Sequence, residues 1–396
     1  MTRGPSHQGP GSVSTQSVVP PDNLDPMTQS ERAPQRLDPR LIGGVAVALL
    51  ILAGGLVFAL SRGEDDEPVT TTTTRPVTTT TEEVTTTSEP ATGPIAPLTG
   101  LHVADPALVN RPALAAKIDN LDTGRESALP QAGLNRTDLV FEEVVEGNIT
   151  RLVGVFHSKA PGRIGPIRSA RTTDIYLLPQ LGQVLFAWSG GNDGVVGEVR
   201  RSPFLIDVGH DAASASYSRQ PGRRAPHNLF VEADQLWARR PEVVAPPRAL
   251  FSYRGDGQTS SPEATPASGV DITWGGGSAS SPVGWRWDPG TKLYLRTQNG
   301  RPHHDADGSQ VSASNVVVMI TEYGRSAADT RSPEAHTVGE GELFVFTDGK
   351  VVWGRWSRPA QDQPATLTDN AGNPILLTPG NTWVELPRQG GVTTVP

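Results

Sequence analysis

Short apolar stretches separated by turn residues make up most of the chain after residue 98. Four of them have the length and apolar content of strands, at residues 114–119, 139–145, 149–156 and 183–188. Residues 146–148, Glu-Gly-Asn, separate the second from the third and predict a hairpin. Helical spacing of apolar positions predicts helices at residues 171–181 and 231–239. Residues 98–248 are therefore expected to form a mixed α/β domain.

The pattern changes over residues 249–283, which are rich in Gly, Ser and Pro and are interpreted as a linker. Beyond it, turn pairs such as Asn-Gly and Asp-Gly separate six predicted strands, at residues 284–287, 293–297, 315–321, 342–346, 351–355 and 383–386. This spacing is typical of an all-β sandwich or barrel-like module. The expected fold class is α+β, with a smaller, mostly-β second domain at residues 284–388 and a tail at 389–396.

Residues 41–60 form an uncharged apolar run. As a helix this run would extend about 30 Å, the thickness of a bilayer core, so we expect a transmembrane helix that acts as a signal anchor. Arg32, Arg36 and Arg40 precede it and an acidic stretch, residues 64–67, follows, which places the N-terminus in the cytoplasm. The alternative is a cleaved signal peptide, whose apolar region is usually shorter.

The regions on either side of the apolar run lack an apolar pattern. Residues 1–40 are polar and rich in Ser, Pro and Gln, and are expected to be a disordered cytoplasmic segment. Residues 61–97 carry runs of Thr broken by Pro and Glu, which predict an extended stalk. The resulting localisation is a single-pass protein of the cell membrane with its folded domains outside the cytoplasm.

Composition removes several chemistries. The 396-residue chain contains no cysteine, which excludes disulfides, thiolate zinc sites, iron–sulfur clusters, cysteine nucleophiles and a lipid-modified cysteine anchor. A formal net charge of −8 argues against a general nucleic-acid-binding protein. Gly (42 residues) and Pro (36 residues) are enriched, which favours strands and turns over a helical bundle.

Familiar catalytic and metal-binding motifs do not occur in the sequence. Ser-x-x-Lys, Gly-x-Ser-x-Gly, His-Glu-x-x-His and the P-loop pattern are all missing. Residues 303–308, His-His-Asp-Ala-Asp-Gly, resemble part of a calcium loop, but the twelfth position of such a loop is Val316. We interpret this segment as a polar hairpin tip and predict neither a metal nor a cofactor.

Arginines next to a helix start provide the candidate binding site. Arg168 and Arg171 lie in Gly-Pro-Ile-Arg-Ser-Ala-Arg, directly before the predicted helix at 171–181, and Arg151 lies at the start of a predicted strand. Guanidinium and backbone N–H donors converge at such positions and favour anions. Arg224 and Asn228, in Arg-Arg-Ala-Pro-His-Asn, complete the predicted ligand-binding set. The alternative is that the arginines pair with Asp119, Glu143 or Glu146 and fix the turn.

Acid and base candidates lie in the same segments. His227 is the best general base by residue type, because its ordinary pKa is near neutrality. Asp119 and Glu146 could supply carboxylates for glycosidic cleavage. The alternative for His227 is structural, since a histidine in a turn often bonds to backbone groups and closes its loop.

The segments 112–120, 138–157, 164–171 and 223–230 resemble the YerB-like lipoproteins of bacteria, as do 315–320, 347–356 and 380–387. The resemblance covers about residues 95–388. It implies a two-domain extracytoplasmic protein with no established activity, whose relatives are associated with cell-wall synthesis enzymes as partners. The chain departs from the family in its anchor, since the apolar run at 41–60 stands in place of a lipidated cysteine.

Two hypotheses follow. The first is a membrane-anchored binding or scaffold protein of the cell envelope, whose partner is a cell-wall polymer or a wall-synthesis protein rather than a nucleic acid. The alternative is a hydrolase or lyase acting on wall polysaccharide, with Asp119 or Glu146 as acid and base and His227 assisting. They differ in geometry, because an enzyme needs its acid and base at one cleft.

Overall fold

The structure is a computed structural model that describes residues 92–275 and 281–396, together with Met1. These two ranges belong to one compact unit, residues 85–396. The predicted cytoplasmic segment, the transmembrane helix at 41–60 and most of the stalk at 61–97 lie outside the described residues. Within the described part, no helix combines the length and the apolar character needed to cross a membrane.

Twenty-two strands and three short α-helices build the described part. The strands are β1 (Ala113–Asp119), β2 (Leu139–Val144), β3 (Thr150–Phe156), β4 (Arg163–Ile164), β5 (Val184–Ala187), β6 (Leu205–Asp207), β7 (Tyr217–Arg219), β8 (Leu229–Glu232), β9 (Thr265–Pro266), β10 (Gly269–Ile272), β11 (Val283–Asp288), β12 (Leu293–Gln298), β13 (Arg301–Pro302), β14 (Ser312–Ala313), β15 (Asn315–Met319), β16 (Tyr323–Arg325), β17 (Pro333–Ala335), β18 (Gly339–Thr347), β19 (Lys350–Arg358), β20 (Thr366–Asp369), β21 (Thr382–Glu385) and β22 (Val392–Val395). The helices are α1 (Thr172–Leu177), α2 (Asp193–Arg201) and α3 (Ala233–Ala238).

One large sheet runs through both halves of the chain. Its strand order is β20-β19-β18-β15-β21-β2-β3-β1-β5-β6, with β9 paired to β19. The halves join where β2 runs parallel to β21, with Leu139 opposite Thr382. The sandwich or barrel expected for residues 284–388 is therefore replaced by a different arrangement. Five strands of that segment belong to the large sheet, and most of the others form a six-stranded sheet with β10 and β22.

The central strands are buried on both faces, which explains their continuous apolar sequences. Along β1, Leu114, Ala116 and Ile118 pack into one hydrophobic cluster, while Ala113 and Ala115 pack into the other. This alternation follows from the two-residue period of a strand. Any charged residue in β1, β2 or β3 is therefore buried, whichever face it points to.

Most of the elements predicted for residues 98–248 are confirmed, and the differences lie in the helices and in the segment that follows. The strands predicted at 114–119, 139–145, 149–156 and 183–188 correspond to β1, β2, β3 and β5, and β2 and β3 form the expected hairpin. Gly147 in its turn has a φ of 71°, a conformation that favours glycine. The helix expected at 231–239 begins only at Ala233, because residues 229–232 form β8. Residues 249–283, expected to be a linker, contain β9 and β10.

Candidate functional site

The candidate site lies at the carboxyl end of β1, which runs parallel to β5 and β6. Ligands of such sheets commonly bind beyond the carboxyl ends of parallel strands. Asp119 is the last residue of β1, and Arg151 of β3 lies directly opposite it in the register. The segment 164–171 follows the same edge, where the N–H of Ser189 donates to the carbonyl of Arg168 at 2.9 Å. Sheet pairing thus brings three predicted site residues together.

Asp119 is the centre of a buried cluster, here called the Asp119 cluster, formed with Arg151, Arg168 and His227. One carboxylate oxygen lies 2.6 Å from Nδ1 of His227 and 3.1 Å from Nε of Arg168. The other oxygen lies 3.2 Å from Nη1 of Arg151. The Asp119 side chain is fully buried, and these three neighbours, together with the N–H of Leu121 at 3.2 Å, compensate its charge.

Electrostatics keep Asp119 ionised. Burial opposes ionisation, but the hydrogen bond from His227 and the charges of Arg151 and Arg168 outweigh it and lower the pKa of the carboxyl. Burial lowers the pKa of Arg151 to about 10, and the positive charges of Arg168 and Arg171 act in the same direction, while Asp119 opposes them. The three arginines predicted as a group therefore lie close enough to influence one another.

One ring nitrogen of His227 is hydrogen-bonded, and the other has no hydrogen bond to the described residues. Its Nδ1 faces Asp119, whereas Nε2 is buried and has no hydrogen-bond partner among the described residues. The Nε2 atom lies 3.7 Å from a carboxylate oxygen of Glu126, beyond hydrogen-bonding distance. A carboxylate that orients a histidine in this way is the usual support of a general base.

Glu146 belongs to a second group, next to the Asp119 cluster. Its carboxylate accepts two hydrogen bonds from Arg171, at 2.8 Å from Nε and 2.7 Å from Nη2, and a further one from the hydroxyl of Ser332. Burial raises the pKa of Glu146, but the bonds from Arg171 and Ser332 outweigh it and the net shift is downward. Asp119 and Glu146 therefore do not face each other as a pair.

A cavity of about 350 Å³ opens beside this second group. Arg171 and Ser169 line it from the segment before α1, and Asn192 lines it from the start of α2. Asp329, Arg331 and Ser332, from the loop between β16 and β17, also line it. We call Glu146, Arg171, Asp329 and Arg331 the open cluster. It draws residues from both halves of the chain.

A third group, here called the sealed cluster, consists of Lys117, Glu143 and Asp174, all fully buried. Nζ of Lys117 bonds to Glu143 and lies 2.7 Å from Asp174. Burial raises the pKa of Glu143 to about 7, because a single lysine must compensate two carboxylates. The isolated charge of Lys117 within an apolar strand is the sequence signal for this cluster, which the motif analysis missed.

The opposite face of the sheet holds a further buried network that the sequence did not reveal. Arg296 of β12 lies 2.7 Å from Glu142 of β2, and both side chains are fully buried. Glu385 of β21 accepts a hydrogen bond from Trp285 at 2.7 Å, and burial together with the charge of Glu142 raises its pKa well above the usual range. This network ties the two halves together and is closed to solvent.

The remaining predicted residues lie at the edge of the site or outside it. Arg224 is exposed, and its side chain has no partner within residues 92–275 and 281–396. Asn228 accepts a hydrogen bond from Arg219 at 2.8 Å and donates to the carbonyl of Arg223 at 3.1 Å, so it organises the loop before β8.

The segment 303–308, interpreted as a hairpin tip, has a structural contact of its own. Asp305 accepts hydrogen bonds from the N–H groups of Gly133 and Asn135, at 3.0 and 2.9 Å. In the described ranges, no three His, Cys, Asp or Glu side chains are grouped so that they could hold a metal ion.

The arrangement suits binding better than acid–base chemistry by the carboxylates. A general acid for glycosidic cleavage needs a raised pKa, whereas the pKa values of Asp119 and Glu146 are both lowered. Arg171 uses three of its five N–H donors in hydrogen bonds to the described residues, and its side chain lines the cavity.

Known proteins resemble the chain over both halves. Residues 98–243 match the DUF3048 N-terminal domain and residues 270–384 match the DUF3048 C-terminal domain, each described as part of a protein of unknown function. The Bacillus subtilis (strain 168) protein named "Putative lipoprotein YerB" is 28% identical over 313 residues, which cover 74% of this chain and 85% of the relative.

A solved structure resembles the fold. The crystal structure of YerB protein from Bacillus subtilis aligns with a TM-score of 0.66 at 22% identity, covering 76% of this chain and 99% of that one. The sequence resemblance noted from the segments at 112–120, 138–157, 164–171 and 223–230 is confirmed by these matches. The chain therefore belongs to the YerB-like family, which is built from the DUF3048 N-terminal and C-terminal domains.

Proposed function

We propose that the chain is a membrane-anchored extracytoplasmic binding protein of the bacterial cell envelope, whose ligand is a cell-wall polymer or a wall-synthesis protein. The observation that carries the proposal is the open cluster, in which Arg171 faces a cavity of about 350 Å³ beside the Asp119 cluster. Cavities of this size are typical of small ligands or of a protruding group of a larger one. The apolar run at 41–60 and the lipoprotein name of the relative support an envelope location.

Charge distribution supports binding through the arginines. Arg168 and Arg171 belong to the same short segment, and Ser169 and Ala170, which lie between them in sequence, line the cavity. Their carboxylate partners are ionised at neutral pH, so they act as fixed charges that orient the guanidinium groups. A pre-oriented arginine loses little side-chain freedom when it binds an anionic group of a ligand.

The test is sedimentation of the detergent-solubilised full chain with purified peptidoglycan. We expect the wild type to sediment with the polymer and an Arg168→Ala/Arg171→Ala variant to stay in solution. A control with the same change of charge is Arg240→Ala/Arg355→Ala, because these arginines form ion pairs elsewhere on the surface. Intrinsic tryptophan fluorescence checks that each variant is folded.

The outcomes separate the possibilities. Binding by the wild type and the control but not by the Arg168/Arg171 variant supports a wall-polymer site at the arginines. Equal binding by all three proteins removes the arginine site. Absence of binding in all three leaves a wall-synthesis protein as the ligand, to be sought by crosslinking.

A second candidate function, that of a hydrolase or lyase acting on wall polysaccharide, is favoured by Nε2 of His227, which has no hydrogen-bond partner among the described residues. Because Asp119 supports the ring, His227 could act as a base once a substrate reaches it. Soluble fragments released by the wild type and not by a folded His227→Gln variant would establish this function. Equal release, or none, would leave His227 with the structural role of closing its loop.

A further inference from the structure

The open cluster has a charge pattern that narrows the class of ligand. It combines two ion pairs that line one cavity, Glu146 with Arg171 and Asp329 with Arg331. Nη2 of Arg171 lies 2.7 Å from Glu146, and Nε of Arg331 lies 3.1 Å from Asp329. The two pairs come from distant parts of the chain and are linked by Ser332, whose hydroxyl donates to Glu146 and lies 3.3 Å from a carboxylate oxygen of Asp329.

All four groups are charged at neutral pH. Hydrogen bonds from Arg331 lower the pKa of Asp329, and the pKa of Glu146 is lowered as well. The hydrogen bond to Asp329 raises the pKa of Arg331. The cavity wall therefore carries two positive and two negative charges, which sum to zero.

A cavity whose wall charges sum to zero but are separated in space disfavours ligands that carry charges of only one sign. A polyanion attracted to Arg171 and Arg331 is repelled by the neighbouring carboxylates of Glu146 and Asp329, and a cation attracted to the carboxylates is repelled by the arginines. A molecule that carries both charges a few ångströms apart meets a favourable partner for each. From this pattern we propose that the cavity binds a zwitterionic group, namely a short peptide or amino acid with a free ammonium and a free carboxylate.

The unused donors and the exposure of the side chains fit this proposal. Arg171 commits three of its five N–H donors, to Glu146 and to the carbonyl of Ala170, so two can reach a carboxylate. The hydroxyl of Ser169 also lines the cavity and has no partner within the described ranges.

Exposure differs along the wall. The side chain of Arg331 is 84% exposed, whereas that of Arg171 is 17% exposed. Arg331 can therefore turn away to admit a ligand while Arg171 stays fixed. In the bound state the ligand's carboxylate accepts from the arginines, and its ammonium donates to Glu146 and Asp329.

This inference rests on the proposed binding function and deepens it, since peptides are among the groups that a wall polymer can present. It is tested on the full chain with three matched probes by isothermal titration calorimetry: alanyl-alanine, its N-acetyl derivative and its C-terminal amide. The first carries both charges, and each of the others lacks one. We expect alanyl-alanine to bind at least tenfold more tightly than either blocked probe.

A single rim variant makes the assignment specific. Arg331→Gln keeps the size and polarity of an exposed side chain, and we expect it to weaken alanyl-alanine binding by about three- to tenfold. Arg355→Gln, which removes another exposed arginine paired with a glutamate, is expected to leave it unchanged.

Any one of three results overturns the inference. The three probes bind with equal affinity, or alanyl-alanine at a concentration of about 10 mM gives no heat of binding. The third is that Arg355→Gln weakens binding as much as Arg331→Gln does. Sedimentation with peptidoglycan is measured separately on the same protein. Retained sedimentation without dipeptide binding rejects the zwitterion and keeps the wall polymer as the proposed ligand, whereas loss of both rejects the zwitterion and the wall polymer and leaves a wall-synthesis protein as the proposed ligand.

Discussion

The sealed cluster and the open cluster both pair carboxylates with basic side chains, yet they differ in what surrounds them. Glu143 and Glu146 lie three positions apart, and each is bonded to one basic side chain, Lys117 or Arg171. Glu143 and Lys117 are fully buried, whereas Glu146 and Arg171 line a cavity. Burial thus separates an ion pair that is closed to solvent from one that a ligand in the cavity would meet.

The difference also appears in the protonation of the two carboxyls. Glu143 is buried away from water and shares the charge of Lys117 with the carboxylate of Asp174, so its pKa rises to about 7. Glu146 accepts hydrogen bonds from Arg171 and Ser332 that outweigh the effect of its burial, and its pKa falls. A residue with a raised pKa is often taken as a functional candidate. Glu143, however, is fully buried, so its raised pKa indicates a structural role. The candidate site is therefore assigned from the cavity and not from the perturbed pKa.

The largest expected effect comes from removing the cation of the sealed cluster. Lys117→Met leaves two carboxylates buried without a counter-charge, and we expect it to lower the free energy of unfolding by about 3–5 kcal/mol. Urea unfolding followed by tryptophan fluorescence measures this, since all eight tryptophans lie between Trp188 and Trp383. The matched control is Arg355→Met, an exposed pair worth less than about 1 kcal/mol. Equal losses in the two variants would contradict the distinction.

The next effect is a pH dependence that belongs to Glu143. Its pKa in the folded chain is raised to about 7 from an ordinary value of 4.5, so its contribution to stability is fully present below pH 4.5. This contribution is lost as the pH rises through 7, when the buried carboxyl must ionise. Between pH 5 and pH 8 we expect the wild type to lose on the order of 2 kcal/mol more than Glu143→Gln. Parallel pH profiles of the two proteins would show that Glu143 does not titrate in this range.

A smaller loss is expected in the open cluster. Arg171→Gln removes a bidentate but partly exposed pair with Glu146, so the free energy of unfolding should fall by only about 1 kcal/mol. The same urea assay applies. A loss as large as that of Lys117→Met would place Arg171 among the structural ion pairs.

The smallest effect on stability is expected at the cavity rim. Arg331→Gln should change the free energy of unfolding by no more than about 0.5 kcal/mol, because its pair with Asp329 is exposed to solvent. Its binding of alanyl-alanine should nevertheless weaken. Destabilisation comparable to that of Arg171→Gln would mean that the rim supports the fold.

The local parts of this fold follow from the sequence. Apolar runs and a glycine-containing turn are sufficient to predict β1, β2, β3 and their hairpin, because these contacts form between neighbouring segments. The pairing of Arg168 and Arg171 with Asp119 and Glu146 also follows from residue type. The sequence predicts two alternatives for these arginines, a ligand site or ion pairs with nearby carboxylates. The structure contains these ion pairs.

The non-local parts do not follow from the sequence. The parallel pairing of Leu139 in β2 with Thr382 in β21 joins residues that no turn signal connects, so the two halves were expected to form separate sheets. Asp329 and Arg331 lie in a loop without periodicity, and only the fold brings them to Arg171. Helix α2 was missed because Gly194 and Gly197 weaken its helical pattern.

We infer that Arg168 and Arg171 serve a ligand, whereas the sealed cluster stabilises the fold. Sedimentation of the full chain with purified peptidoglycan, comparing wild type with the folded Arg168→Ala/Arg171→Ala variant, is the first test of the ligand role. We expect the wild type to sediment with the polymer and the variant to remain in solution. Equal sedimentation of the two folded proteins would contradict it.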